Sequence, residues 1–140
     1  MSENQRNDQN MSVRKLAAIM FTDIVGYTSM MGKDEDAAFR ILRKNREIQK
    51  KSINDHNGEC LKEMGDGILS SFYSATDAIL CAQEIQKLAK AEKIILRIGI
   101  HQGEVVFEDN DVFGDGVNMA SRLQEMADPG SIYISDKVQK

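Results

Sequence analysis

The sequence predicts an α+β fold with a central, mainly antiparallel sheet and two long helices on one of its faces. Two amphipathic helical patterns alternate with short apolar segments in the order β-α-β-β-α-β, and a further helix and strand follow. The motif Gly65-Asp66-Gly67 between two of these segments predicts a β-hairpin. The 140 residues, of which 41% are hydrophobic and 29% charged, have room for one core. This order of elements is the ferredoxin-like, or split βαβ, pattern, in which the first and third strands are central neighbours.

The first half of the pattern contains a strand, a long helix and the hairpin. The apolar run at 15–22 predicts the first strand. Asp34 begins the long helix, because acidic residues are favourable at the positive end of a helix, and Asn57-Gly58 ends it. The two strands of the hairpin are expected at 59–64 and 68–73.

The second half begins with a capping box, in which Ser74 and Asp77 favour the first turn of the second long helix. A strand at 94–100 follows, and the segment 103–107 continues or bends it. The remaining predicted elements are an acidic turn at 108–111, a helix at 117–127 that Asp128-Pro129-Gly130 ends, a strand at 132–134 and a new helix near Ser135.

Composition excludes several classes of function. A net charge of −4 and a pI near 5.2 argue against non-specific binding to nucleic acid or to anionic membranes. The longest apolar run, 16–21, is far too short to cross a bilayer, and no signal-peptide pattern is present, so no membrane segment is predicted in this chain. Cys60 and Cys81 fit no zinc pattern and are expected to be reduced thiols of a cytoplasmic chain. Residues 1–12 are polar and aperiodic, which predicts a disordered tail or linker before a domain at 13–140.

Asp23 lies where the first strand opens into a glycine-containing turn, within the segment 21–28. An ionised carboxylate in a buried setting needs a partner or a metal. The backbone N–H groups of 24–28 are expected to point out of the turn, which suits an anion such as a phosphate. The alternative is that Asp23 merely caps the next helix.

Asp66 is the second carboxylate in an unusual place, at the tip of the hairpin between two glycines. In a ferredoxin-like sheet it should meet Asp23 at the same edge, where the two charges would repel each other unless a cation lay between them. Magnesium commonly uses one or two carboxylates and takes its other ligands from phosphate and water. The alternative is an ordinary turn residue, because Asp-Gly turns are common.

Four segments, in this order, resemble the motifs of the class III nucleotidyl cyclase catalytic domain. The segment 21–28, Phe-Thr-Asp-Ile-Val-Gly-Tyr-Thr, is similar to the first metal and phosphate motif of that family, and 62–67 resembles its Lys-x-x-Gly-Asp motif. The segment 97–103 resembles the part that supplies an Arg to phosphate, and 111–122 resembles the purine and transition-state segment. The resemblance covers about 15–135 and is to a bacterial domain of the adenylate type.

The resemblance implies conversion of ATP to 3′,5′-cyclic AMP and pyrophosphate by attack of the ribose 3′-hydroxyl on the α-phosphorus. It implies two ions per site, Mg²⁺ or Mn²⁺, held by Asp23, Asp66 and the Ile24 carbonyl. The turn residues implied to contact substrate phosphate are Val25, Gly26, Tyr27 and Thr28.

The same resemblance implies roles for three side chains, two of them basic and one an amide. Arg97 would hold the terminal phosphates, Asn118 would orient the ribose, and Arg122 would stabilise charge on the α-phosphate. Asn118 and Arg122 are four apart on one predicted helix, so they share a face. The alternatives are a strand-edge Arg97 that faces water and an exposed polar helix face.

Lys62 and Asp111 would read the base. Lys62 can donate to adenine N1, and Asp111 can accept from the adenine amino group, whereas guanine presents the reverse pattern. Relatives that use GTP typically carry Glu and Cys at these places. The alternatives are a solvated strand residue for Lys62 and a turn residue for Asp111.

Members of the family dimerise head to tail, so the resemblance implies a homodimer with two sites at its interface. One chain would give the metal-binding Asp pair, and the other would give the purine and transition-state residues. The family domain continues past the last strand with a further basic phosphate contact, so the chain that ends at Lys140 is expected to be a domain truncated at its C-terminus.

Three other functions stay open at this stage. A cyclase-like domain could dimerise or bind ATP without turnover, and a guanylate cyclase would share the same motifs. A diguanylate cyclase has a similar core, but its Gly-Gly-Asp/Glu-Glu-Phe signature is replaced here by Met-Gly-Asp-Gly-Ile at 64–68.

Overall fold

The computed structural model describes residues 12–109 and 111–135, which form six strands and four helices. The strands are β1 (Val13–Ile24), β2 (Gly58–Met64), β3 (Gly67–Phe72), β4 (Leu96–Glu108), β5 (Asp111–Phe113) and β6 (Ile132–Ile134). The helices are α1 (Tyr27–Lys33), α2 (Glu35–Asp55), α3 (Ala75–Ala91) and α4 (Asp115–Met126). The predicted tail, apart from Ser12, and the helix expected to follow Ser135 lie outside the described residues.

The strands form one sheet in the order β2-β3-β1-β4-β5, with β6 also beside β4. β1 pairs antiparallel with both β3 and β4, and only the short pairing of β6 with β4 is parallel among the described strands. The prediction of an α+β fold with a mainly antiparallel sheet, and with the first and third strands adjacent at its centre, is therefore confirmed.

Each face of the sheet has its own apolar core, because successive residues of a strand point to opposite faces. On the first face, α2 and α3 pack over Met20 and Ile98, with Ile53 and Ile85 as their own buried residues. The two long helices thus lie on one face, as predicted. On the second face the core is smaller and includes Ala120 of α4, together with the strand residues Ala17, Ile19, Leu69, Val105 and Val112.

The close packing of α4 on the second face depends on a glycine in β4. A Cβ built at Gly99 would lie 2.6 Å from the carbonyl oxygen of Ala120, a distance that no side chain could accept. The helix can approach the strand only because this position has no side chain.

Two elements were not predicted, and each has a physical reason. α1 has seven residues, none of them buried, and its apolar residues Tyr27, Met30 and Met31 span too short a segment to predict a helix by their periodicity. β5 has three residues and lies partly in the segment predicted as an acidic turn. β4 is a single strand of 13 residues, which resolves the open question of whether 103–107 continues or bends it. None of the described helices is long and apolar enough to cross a membrane.

Candidate active site

Asp23 and Arg97 face each other across β1 and β4. The register pairs the two residues directly, and both point to the second face because they alternate with core residues of the first. Nε of Arg97 donates to Oδ1 of Asp23 over 3.2 Å, and Nη2 donates to Oδ2 over 2.9 Å. This bidentate pair raises the pKa of the Arg97 guanidinium, chiefly through the hydrogen bond. The partner that the Asp23 carboxylate was expected to need is, in this structure, an arginine.

Asp66 reaches the residue next to Asp23. It lies in the turn between β2 and β3, where Gly65 has a φ of 61° that favours glycine. Its Oδ2 accepts a hydrogen bond of 2.8 Å from the backbone N–H of Ile24. The two carboxylates therefore converge at one end of the strands, where β1 ends and β2 turns into β3. We call this place the carboxylate edge.

The turn after β1 offers fewer free amides than the sequence suggested. The N–H of Ile24 donates to Asp66, and the N–H of Val25 donates to the carbonyl oxygen of Ile95 over 2.8 Å. The prediction that all amides of 24–28 point outward is therefore wrong for these two. Gly26, Tyr27 and Thr28 stand at the start of α1, where the first N–H groups have no partner within the helix.

The donor atoms at the carboxylate edge have the chemistry of a magnesium or manganese site. Two carboxylates and the backbone carbonyl of Ile24 are hard oxygen ligands, which these ions prefer. No group of three or more His, Cys, Asp or Glu side chains among the described residues could hold an ion by itself. The donor set therefore fits an ion that takes its remaining ligands from water and phosphate. Both carboxylate oxygens of Asp23 accept a hydrogen bond from Arg97, so an ion at Asp23 would compete with the guanidinium for these oxygens.

Lys62 and Asp111 form an ion pair on the second face, with Nζ 2.6 Å from Oδ1. Their strands, β2 and β5, are at opposite ends of the sheet order, so the sheet curls until its two edges meet across the second face. The hydrogen bond from Lys62, with a second from the N–H of Val112, lowers the pKa of Asp111. A cleft of about 440 Å³ lies beside this pair and is lined by Leu61, Phe107, Asp111 and Val112 among others.

Asn118 and Arg122 lie one turn apart on α4, and both are exposed. Neither side chain forms a hydrogen bond or an ion pair with Asp23, Asp66 or any other described residue. The structure thus brings Asp23, Asp66 and Arg97 together, brings Lys62 and Asp111 together, and bonds Asn118 and Arg122 to neither group.

Sequence reasoning missed Arg46, which lies on α2. The helical pattern placed the basic residues of this helix on its outer face, and nothing in the sequence indicates which of them turns toward the hairpin. Nη2 of Arg46 donates to the carbonyl oxygen of Gly65 over 3.2 Å, directly beside Asp66. Only the packing of α2 along the edge of the sheet reveals this contact.

Comparison with known proteins gives the family. Residues 10–140 match the model of the adenylate and guanylate cyclase catalytic domain. A Rhizobium meliloti protein named "Putative adenylate cyclase 3" is 38% identical over 136 residues, which cover 91% of this chain and 23% of that protein. An adenylate cyclase of Streptomyces coelicolor is 30% identical over 134 residues, covering 91% of this chain and 34% of the relative.

A solved structure agrees with this in fold and in sequence. The crystal structure of an adenylate/guanylate cyclase/hydrolase from Silicibacter pomeroyi superposes with a TM-score of 0.83 at 39% identity, over 91% of this chain and 80% of that one. The chain spans a quarter to a third of the length of the two curated relatives. The match to the family extends over nearly all of the chain, and the chain belongs to the class III adenylate and guanylate cyclase catalytic domain family.

Proposed function

We propose that the chain is the catalytic domain of an adenylate cyclase, which converts ATP to 3′,5′-cyclic AMP and pyrophosphate. The observation that carries the proposal is the convergence of Asp23 and Asp66 at one edge of the sheet, with Arg97 beside them. Oxygen ligands and a guanidinium in one place suit the triphosphate of a nucleotide. The names of the two curated relatives support the adenylate type.

The carboxylate edge would bind the metal and the phosphates. Asp23, Asp66 and the Ile24 carbonyl would hold two ions, Mg²⁺ or Mn²⁺. When bound, such ions lower the pKa of the attacking ribose hydroxyl and neutralise the leaving pyrophosphate. Arg97, once separated from Asp23, presents its planar fork to the terminal phosphate oxygens.

The amides that start α1 would contact the same phosphates. Gly26, Tyr27 and Thr28 keep N–H groups directed out of the first turn of the helix, and their partial positive charge favours an anion. Val25 would help to shape the turn but would not donate its N–H to phosphate, because this N–H already donates to the carbonyl oxygen of Ile95.

The Lys62–Asp111 pair would choose the base. Adenine accepts a hydrogen bond at N1 and donates one from its amino group. It can therefore replace the hydrogen bond between the two side chains with one from Lys62 and one to Asp111. Guanine would present a donor to Lys62 and an acceptor to Asp111, which leaves both unsatisfied. The pair lies beside the cleft where the base would enter, and Asp111 is part of the lining of that cleft.

Asn118 and Arg122 would complete a site on a second copy of the chain. Asn118 would orient the ribose, and Arg122 would stabilise the charge that develops on the α-phosphate. Their exposure on α4, with no hydrogen bond or ion pair to Asp23, Asp66 or Arg97 of their own chain, supports a head-to-tail homodimer in which each site takes its metal ligands from one copy and its α4 residues from the other. ATP as substrate and two free cysteines suit a cytoplasmic setting.

One observation favours a second candidate, a domain that dimerises or binds ATP without turnover. Arg97 engages both oxygens of Asp23 and so competes directly with an ion. If the guanidinium is not displaced, nucleotide can bind but the reaction cannot proceed.

The product decides between these functions. The purified protein is incubated with ATP or GTP and Mg²⁺ or Mn²⁺, and the products are identified by mass spectrometry. We expect cyclic AMP from ATP, little cyclic GMP from GTP, and no product with EDTA. Cyclic GMP as the main product would contradict the adenylate assignment, and ATP binding without any cyclic product, in this chain and also in a longer version of it, would establish the second candidate.

A further inference from the structure

The turn that carries Asp66 is anchored by a side chain of α2. Nη2 of Arg46 donates to the carbonyl oxygen of Gly65 over 3.2 Å, and Nε of the same residue lies 3.4 Å from Oε1 of Glu63. The second contact has the distance of an ion pair but not the geometry of a hydrogen bond. One guanidinium therefore touches both the end of β2 and the turn that follows it.

Packing alone does not hold this turn. A Cβ built at Gly65 would meet no atom within 4 Å, so this side of the turn borders open space. Gly67 at the other end of the turn packs against Phe21 and pairs with Met64, and the position of Asp66 between these two ends also depends on hydrogen bonds that reach the turn from other elements. Two such bonds are present, one from Arg46 to the turn and one from the Ile24 N–H to the Asp66 carboxylate.

The same helix also supports the strand that carries Asp23. Gln49 and Thr22 are fully buried and hydrogen-bonded to each other, with Nε2 of Gln49 2.9 Å from Oγ1 of Thr22. Gln49 also donates to Oδ1 of Asn45 over 2.9 Å, and Asn45 is buried as well. α2 is thus bonded to the residue before Asp23 through Gln49, and to the residue before Asp66 through Arg46.

We propose that Arg46 is a positioning residue, which holds the Asp66 turn against α2 and so sets Asp66 at the distance from Asp23 that a shared ion requires. The proposal rests on the proposed function, in which the two carboxylates bind the metal. Arg46 is 34% exposed and contacts neither carboxylate, so it acts only through the turn. Outer groups of this kind orient the ligands of metal sites and change their affinity.

The chain provides a matched control. Lys50 also pairs with Glu63, with Nζ 3.1 Å from Oε2, but it makes no contact with the turn. A role that consists only in neutralising Glu63 would be shared by Arg46 and Lys50. A role in holding the turn belongs to Arg46 alone.

The first measurement needs no metal. Hydrogen exchange of the Ile24 amide, which is bonded to Asp66, is followed in the wild type and in Arg46→Ala, Arg46→Lys and Lys50→Ala. We expect exchange to be faster by about tenfold or more in Arg46→Ala, because local opening of the turn releases this amide. Arg46→Lys keeps the charge beside Glu63, and therefore the fold, but loses the guanidinium fork, so its Ile24 amide should also exchange faster. Lys50→Ala should match the wild type.

The second measurement is the affinity for Mn²⁺ alone, by calorimetry, with Asp66→Asn as the reference for a lost ligand. We expect Arg46→Ala to weaken Mn²⁺ binding by about 10–100-fold and Lys50→Ala to leave it within about twofold. Unchanged Ile24 exchange in both Arg46 variants, or an equal increase in Lys50→Ala, would overturn the proposal. A wild-type chain that binds no Mn²⁺, either alone or with ATP present, would overturn the proposed function, and the exchange result would then still decide whether Arg46 holds the turn.

Discussion

Asp23 has two competing partners, the Arg97 guanidinium and the ion that the proposed reaction requires. The expected repulsion between Asp23 and Asp66 is relieved in this structure by Arg97 on one carboxylate and by the Ile24 N–H on the other. In the proposed function the same arginine contacts phosphate, so an ion that bound Asp23 would also release Arg97 toward the nucleotide. Metal and nucleotide should therefore bind cooperatively.

The two carboxylates should differ when each is replaced by its amide. Asp23→Asn and Asp66→Asn should both abolish cyclic AMP formation, because each removes a charged metal ligand. Asp23→Asn should also lower the free energy of unfolding by about 1 kcal/mol, since a partly exposed Arg97 loses its charged partner. Asp66→Asn should leave stability nearly unchanged, because an amide oxygen can still accept from Ile24. Activity and thermal melting together check this, and cyclase activity in either variant would refute the metal assignment.

Base choice is the second prediction at the scale of residues. Lys62→Glu combined with Asp111→Cys removes the adenine donor and acceptor and introduces groups that suit guanine. We expect the ratio of kcat/KM for ATP to that for GTP to fall by about tenfold or more, since a lost buried hydrogen bond is worth about 1–3 kcal/mol. An unchanged ratio in a variant that remains folded would mean that this pair does not read the base.

At the scale of elements, the sequence predicted the carboxylate edge through two local signals, the end of an apolar run at Asp23 and the Gly-Asp-Gly turn at Asp66. The adjacency of the first and third strands then followed from the order of elements. The pairing of Asp23 with Arg97 could not be predicted from the order of elements, because it depends on the register of β1 and β4. The ion pair of Lys62 with Asp111 could not be predicted from the order of elements either. It forms because the sheet curls and brings together β2 and β5, which lie at opposite ends of the strand order.

The packing of α3 on the first face predicts a difference between the two cysteines. Cys81 on α3 is fully buried, and burial raises the pKa of its thiol to about 11, so it stays protonated at neutral pH. Cys60 on β2 is only partly buried, and its pKa is raised as well, again chiefly by desolvation. Iodoacetamide near pH 8 should therefore label Cys60 first, and Cys81 only after unfolding in guanidinium chloride. Peptide mass spectrometry checks the order, and rapid labelling of Cys81 in the folded chain would show that α3 does not stay packed.

At the scale of the whole molecule, the proposed site residues form two sets. Asp23, Asp66 and Arg97 occupy the carboxylate edge, while Asn118 and Arg122 stand exposed on α4. A two-fold dimer that joins one set to the other across its interface would contain two equivalent sites. The central claim of the proposed function is that such a shared site performs the reaction.

Mixing two inactive variants tests this claim most directly. Asp23→Ala destroys the metal set and Arg122→Ala destroys the α4 set, so neither homodimer has a working site. After equal mixing and exchange of chains, half of the dimers are mixed, and each has one doubly damaged and one intact site. Cyclic AMP formation should therefore recover to roughly one quarter of the wild-type rate. If native mass spectrometry shows that mixed dimers have formed and the mixture remains as inactive as its components, the site is not shared between two copies.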